Sequence, residues 1–144
     1  MDITFQSEGV EHPQIDEDRI ANWIESIAKQ YNKEVGEIAY LFCDDKKIVE
    51  VNQEYLNHDF YTDIITFDYS EETTISGDVI ISLQTVESNS QMYKTDFTEE
   101  LHRVIIHGIL HLCGQDDLTE EEQNAMRDAE DNALRIFFSD KNIQ

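Results

Sequence analysis

His107 and His111 stand four residues apart, a spacing that a helix turns into one face, one turn apart. Gly114, three residues past the second histidine, can end that helix in a left-handed turn. Asp117 follows three residues later, where the chain can swing a carboxylate back to the same point. The motif is His-x-x-x-His-x-x-Gly-x-x-Asp, three ligands converging from a helix and the turn after it. Catalytic zinc sites commonly use three protein ligands and keep the fourth position for water. The pattern predicts a hydrolase with a metal-activated water, holding one Zn2+ or another divalent ion.

The surroundings strengthen this reading. His107 lies among Val104, Ile105, Ile106, Ile109 and Leu110, so the pair belongs to a largely buried helix. Imidazoles placed there need polar partners, and a metal satisfies both. Asp116 competes with Asp117 for the third position. Asp117 falls where the third histidine stands in zinc enzymes of similar spacing, leaving Asp116 to orient a ligand or the turn. Both aspartates also suit a plain turn before Thr119. Cys113 reads as core. In His-Glu-x-x-His proteases the residue after the first histidine is the general base, but here it is Gly108, which moves no proton. Gly108 is expected to leave space beside the metal for a group as large as a phosphate. Arg103, four residues before His107, is a candidate to bind phosphate or offset developing charge. Its simpler reading is an ion pair with Glu99. His102, turned about 100° from Arg103 by helix geometry, is expected at the surface.

The elements that must position these groups can be read along the chain. Ile3 and Phe5 mark a short strand. Asp16 can cap a helix carrying Ile20, Trp23, Ile24, Ile27, Ala28 and Tyr31. Glu37 to Cys43 reads as a strand with Ile38, Tyr40 and Phe42 on one face. Asp44 or Asp45 opens a helix with Ile48, Val51 and Tyr55, and a loop is expected from Asn57 to Tyr61. Strands are expected over Asp63–Tyr69 and Gly77–Leu83, separated by a polar connection over Glu71–Ser76. Three helices follow. The first is polar, over Leu83–Met92, and the second is capped by Asp96 or Thr98 and bears the histidines. The last opens on a Thr119/Glu122 capping box and carries Met126, Ala129, Ala133, Ile136 and Phe137. The order β-α-β-α-β-β-α-α-α predicts an α/β (α+β) domain over residues 1–144, a mixed sheet of about four strands with about five helices, one of them a zincin-like metal helix.

Composition bounds the partners. The 144-residue chain carries a net charge of −22, 40% hydrophobic residues, one proline and two cysteines. That charge argues against non-specific binding to nucleic acid or anionic membrane. Two cysteines are too few for a disulfide scaffold, and no apolar run or N-terminal signal stands out, so a reduced, cytoplasmic protein is expected.

Several segments together resemble one family. His107-Gly108-Ile109-Leu110-His111-Leu112-Cys113-Gly114-Gln115-Asp116 followed by a third ligand is similar to the signature of the YbeY endoribonucleases. Val51-Asn52-Gln53-Glu54-Tyr55, Thr62-Asp63-Ile64-Ile65-Thr66-Phe67 and Gly77-Asp78-Val79-Ile80-Ile81 resemble further segments of that family. The resemblance implies a zinc-dependent, single-strand-specific endoribonuclease. It would act in maturation of the 3′ end of 16S rRNA and in ribosome quality control, with single-stranded RNA, ribosomal RNA and the small subunit as partners. It implies His107, His111 and the residue at 117 as ligands. Two departures stand out. The family's third ligand is histidine where this chain has Asp117, and the family's Tyr-Arg pair ends here in Leu56. Asp117 adds negative charge, which lowers the metal's Lewis acidity or favours a harder ion. His58 is the candidate to replace the missing arginine's charge. Two alternatives compete: a non-catalytic assembly factor that keeps a structural metal site and binds a ribosomal protein or GTPase, and a zinc hydrolase of another substrate class.

Overall fold

The structure is a computed structural model, described here for residues 2–56 and 62–139. Its elements are β1 (Asp2–Ser7), α1 (Glu17–Gln30), β2 (Glu34–Cys43), α2 (Asp45–Leu56), β3 (Ile64–Asp68), β4 (Thr74–Ser82), α3 (Leu83–Tyr93), α4 (Phe97–Leu112) and α5 (Glu120–Ser139). The sheet order is β1-β2-β4-β3; β1 and β4 run parallel to β2, and β3 runs antiparallel to β4. The expected α/β order and mixed four-stranded sheet are both present.

Local chemistry accounts for the helix starts. The Asp16 carboxylate accepts from the Arg19 amide at 3.1 Å, and the Asp96 carboxylate accepts from the Glu99 amide at 2.8 Å. The α1 residues Ile20, Trp23, Ile24, Ile27 and Ala28 are buried, as their three-and-four spacing requires. Trp23 closes the core between α1 and α5: its Nε1 donates to the Ala133 carbonyl at 2.9 Å, and its ring meets Phe137 at 4.6 Å between centroids. Tyr40 ties the sheet to α4 by donating its hydroxyl to the Ile105 carbonyl at 2.9 Å.

Two strands run longer than the periodicity suggests. β2 starts at Glu34 and β4 at Thr74, because Glu34 pairs with Thr74 and Val35 with Ile75 ahead of a register shift. That irregularity, beside Gly36, breaks the alternation that marks a strand in sequence. Half of the expected polar connection is therefore strand.

α4 is the central helix, buried on most of its circumference. The sequence reading expects Gly108 to open space beside the site, and the structure shows it packed against the sheet instead. A Cβ there would lie 3.1 Å from Val79 Cγ1 and 3.2 Å from Ile64 Cδ1. Glycine at this position lets α4 lie close against β3 and β4, which brings the helix's histidines to the edge of the sheet. Among the described residues, no helix is long and apolar enough to cross a membrane.

Candidate metal centre

His107 and His111 project from the last two turns of α4. Two caps then fix the short segment that follows. The Gly114 amide donates to the His111 carbonyl at 2.9 Å and the Gln115 amide to the Leu110 carbonyl at 3.0 Å. Gly114 has φ +101°, so the helix closes in a Schellman turn that a side chain at this position would strain. Five residues past Gly114, Thr119 opens α5 with the expected capping box. Glu122 Oε1 accepts from the Thr119 amide at 2.9 Å, and Thr119 Oγ1 accepts from the Glu122 amide at 3.0 Å. Asp117 is held between these two caps.

The result is a compact donor set. Asp117 Oδ2 lies 3.5 Å from His107 Nε2 and 3.3 Å from His111 Nε2. One ligand atom from each of the three residues falls within 4.8 Å of the others. The two rings stand nearly perpendicular, 84° apart, with centroids 4.5 Å apart. Each Nδ1 faces an acceptor: Glu130 Oε2 at 2.6 Å for His107 and the Gln115 carbonyl at 2.9 Å for His111. An acceptor at Nδ1 keeps the proton there and leaves Nε2 free to bind a cation. The histidines' free nitrogens and a carboxylate oxygen thus converge, and the donor set fits a zinc-sized ion.

The centre opens into a cleft lined by Thr62, Asp63, Ile64, Thr66, Asp68, His107, His111, Leu112, Asp116 and Asp117. The lining holds four aspartates and, among the described residues, neither lysine nor arginine. Asp116 borders the cleft but is not one of the three gathered residues. Asp63 is part-buried at the cleft wall, and burial pushes its carboxyl above the usual range, with the charge of His107 partly opposing. Burial alone would lower His107, but its bond to Glu130 and the charges of Glu130, Asp117 and Asp63 raise it overall. Burial alone would raise Glu130, but His107 and Arg103 together hold it below the usual range.

The remaining candidates fall elsewhere. Arg103 pairs with Glu130 at 2.8 Å and Asp131 at 2.7 Å on α5, not with Glu99, and does not line the cleft. His58 lies outside the described residues. Leu56 ends α2, 43% exposed. Glu130 is absent from the sequence reading. Its signal was a carboxylate inside the α5 stripe Met126, Glu130, Ala133, Phe137, all buried.

His102 departs from expectation. It is 4% exposed, because α1 and α5 cover its face of α4: Trp23 lies 6.1 Å away and Phe137 4.6 Å away between ring centroids. Nδ1 bonds the Thr98 carbonyl at 2.6 Å. Burial lowers its pKa from the ordinary 6.5, with the Thr98 bond opposing. The contribution to stability is therefore complete above 6.5 and falls as pH drops through it, since the unfolded chain takes a proton that the folded chain refuses. His107, raised overall, works in the opposite sense, so the test is a difference: in chelator, between about pH 7.5 and about pH 5.5, the urea midpoint of the wild type is expected to drop relative to that of His102→Phe. Equal slopes would contradict this account.

Comparison with known proteins agrees with the architecture. The sequence profile described as Endoribonuclease YbeY matches residues 3–137. The chain is 54% identical over 136 residues to a Bacteroides fragilis protein named Endoribonuclease YbeY, covering 94% of this chain and 98% of that one. It is 51% identical over 137 residues to a protein of the same name from Parabacteroides distasonis, covering 95% and 96%. A Thermotoga maritima protein solved in solution shares the fold, with a TM-score of 0.67, 24% identity and 99% of each chain covered. Relatives at this identity, matched over nearly their whole length, leave one conclusion: the chain belongs to the YbeY endoribonuclease family.

Proposed function

We propose that this protein is a single-strand-specific metallo-endoribonuclease, one domain over residues 1–144, that matures the 3′ end of 16S rRNA and serves ribosome quality control in the cytoplasm. Family membership supports the reaction class. The observation that carries the metal dependence is the convergence of two histidine Nε2 atoms, each with its Nδ1 on an acceptor, on one Asp117 oxygen. His107, His111 and Asp117 would hold one Zn2+. When bound, the ion supplies Lewis acidity toward a phosphate oxygen and acidifies a water.

The chain's own residues do the rest. The Schellman turn and the capping box hold Asp117 against the histidines, so the donors are arranged before any substrate arrives. Gly108 leaves α4 without the base of a zinc peptidase. The cleft offers Asp63 instead, a part-buried carboxyl suited to take a proton from water. With carboxylates and histidines as the ionisable groups at the cleft wall among the described residues, phosphate binding depends on cations brought to the site. His58 is our candidate for one further positive charge.

The acidic cleft favours one second reading, an assembly factor that binds a ribosomal protein or GTPase and keeps the metal as a staple. Cleavage of matched RNAs separates the two. The zinc-loaded protein is expected to cut a single-stranded 16S 3′-end precursor segment and to leave the same sequence intact when annealed into a duplex. Zinc-loaded protein that cuts neither strand form selects the assembly factor.

A further inference from the structure

Glu130 is an expensive residue where it stands. It is 6% exposed within the apolar stripe of α5, and a buried carboxylate is costly unless its oxygens are matched. Both are matched, by different partners. Oε1 accepts from Arg103 Nη1 at 2.8 Å and Oε2 accepts from His107 Nδ1 at 2.6 Å. The other arm of the same guanidinium, Nη2, donates to Asp131 Oδ1 at 2.7 Å. Arg103 therefore forks across two neighbouring carboxylates and fixes the one that meets His107. His111 is treated differently, since its Nδ1 meets only a neutral backbone carbonyl. Well-packed apolar residues would serve stability at least as well as this buried chain of charges.

We propose that Glu130 is the positioning residue that keeps the His107 proton on Nδ1 and its Nε2 lone pair toward the cleft, and that Arg103 acts by holding Glu130 rather than by touching substrate. This rests on the metal reading above. A neutral imidazole carries one proton, and the hydrogen bond at one nitrogen decides which nitrogen keeps it. A carboxylate behind the ring also makes it a stronger ligand. Glutamine cannot replace Glu130 in this role. It has one acceptor oxygen where two are used, so either Arg103 or His107 faces an amide NH2. An NH2 facing Nδ1 drives the proton to Nε2, where the ion must bind.

The test is zinc affinity of the full chain, by competition with a chromophoric chelator at fixed pH. Glu130→Gln is expected to weaken zinc binding about ten- to a hundredfold, and Asp131→Asn to change it by less than about threefold. Adding Arg103→Lys to Glu130→Gln should cost nothing more, because the lysine change acts through a carboxylate already lost. At alkaline pH, 15N spectra of the apoprotein are expected to show His107 as the Nδ1–H tautomer, shifted toward Nε2–H in Glu130→Gln. If that variant does not fold, Arg103→Lys alone carries the test, with at least about a threefold loss expected. Wild-type affinity in Glu130→Gln, or in Arg103→Lys where it stands in, overturns the inference alone. A wild-type chain that binds no zinc overturns the metal reading and the inference with it.

Discussion

His111→Ala is expected to lower kcat/KM for single-stranded RNA at least about a thousandfold, a loss of about 4 kcal/mol of transition-state stabilisation. The size follows from what the side chain supplies. His111 gives one of two nitrogen donors in a three-residue set, with its Nε2 3.3 Å from Asp117 Oδ2. Histidine and one carboxylate cannot hold a tetrahedral ion as three donors do. The fold should survive. His111 is part-exposed at the helix end, and the bond lost with it is that to the Gln115 carbonyl, so about 1 kcal/mol of stability is at stake. The measurement is steady-state cleavage beside a urea melt of the same preparation. A variant that folds normally and retains more than a tenth of wild-type activity would remove His111 from the mechanism.

The largest expected effect on stability is at Trp23. Trp23→Ala should destabilise the apoprotein by about 4 kcal/mol, the range for emptying a buried aromatic site. Trp23 is 0% exposed, donates to the Ala133 carbonyl at 2.9 Å, and packs on Phe137 and His102. Its loss opens a cavity where α1, α4 and α5 meet and removes the second donor to the Ala133 carbonyl. Because domains are stable by only about 5–15 kcal/mol, the variant should lie near its unfolding threshold. The same α5 carries Glu130, so looser zinc binding is expected as well. A fall of less than about 1.5 kcal/mol from urea titration would show that the ring contributes little.

Much of the scaffold could be read from residues because its signals are local. The α1 stripe, the Asp16 and Asp96 caps, the Thr119/Glu122 box and the Gly114 turn all involve groups within a few residues of one another. The histidine pair was legible for the same reason: helix periodicity turns four-residue spacing into adjacency. What escaped reading depends on distant chain. Helix periodicity offers Arg103 either a phosphate beside His107 or an ion pair with Glu99, whereas its carboxylates lie 27 and 28 residues away on α5. The angle of His102 on its own helix points to the surface, but α1 and α5 cover that face. The early parts of β2 and β4 became strand only by pairing with each other across a register shift. The motif around Gly108 gives no sign of why glycine stands there, because the reason lies in Val79 and Ile64 on the sheet.

The central claim is that His107, His111 and Asp117 hold one catalytic metal ion. It is tested most directly by metal analysis of the purified wild-type chain, followed by RNA cleavage after chelator stripping and after stepwise return of zinc. The account predicts about one ion per chain, loss of cleavage on stripping, and recovery that saturates near one equivalent. Full cleavage by stripped protein with no detectable metal would contradict it.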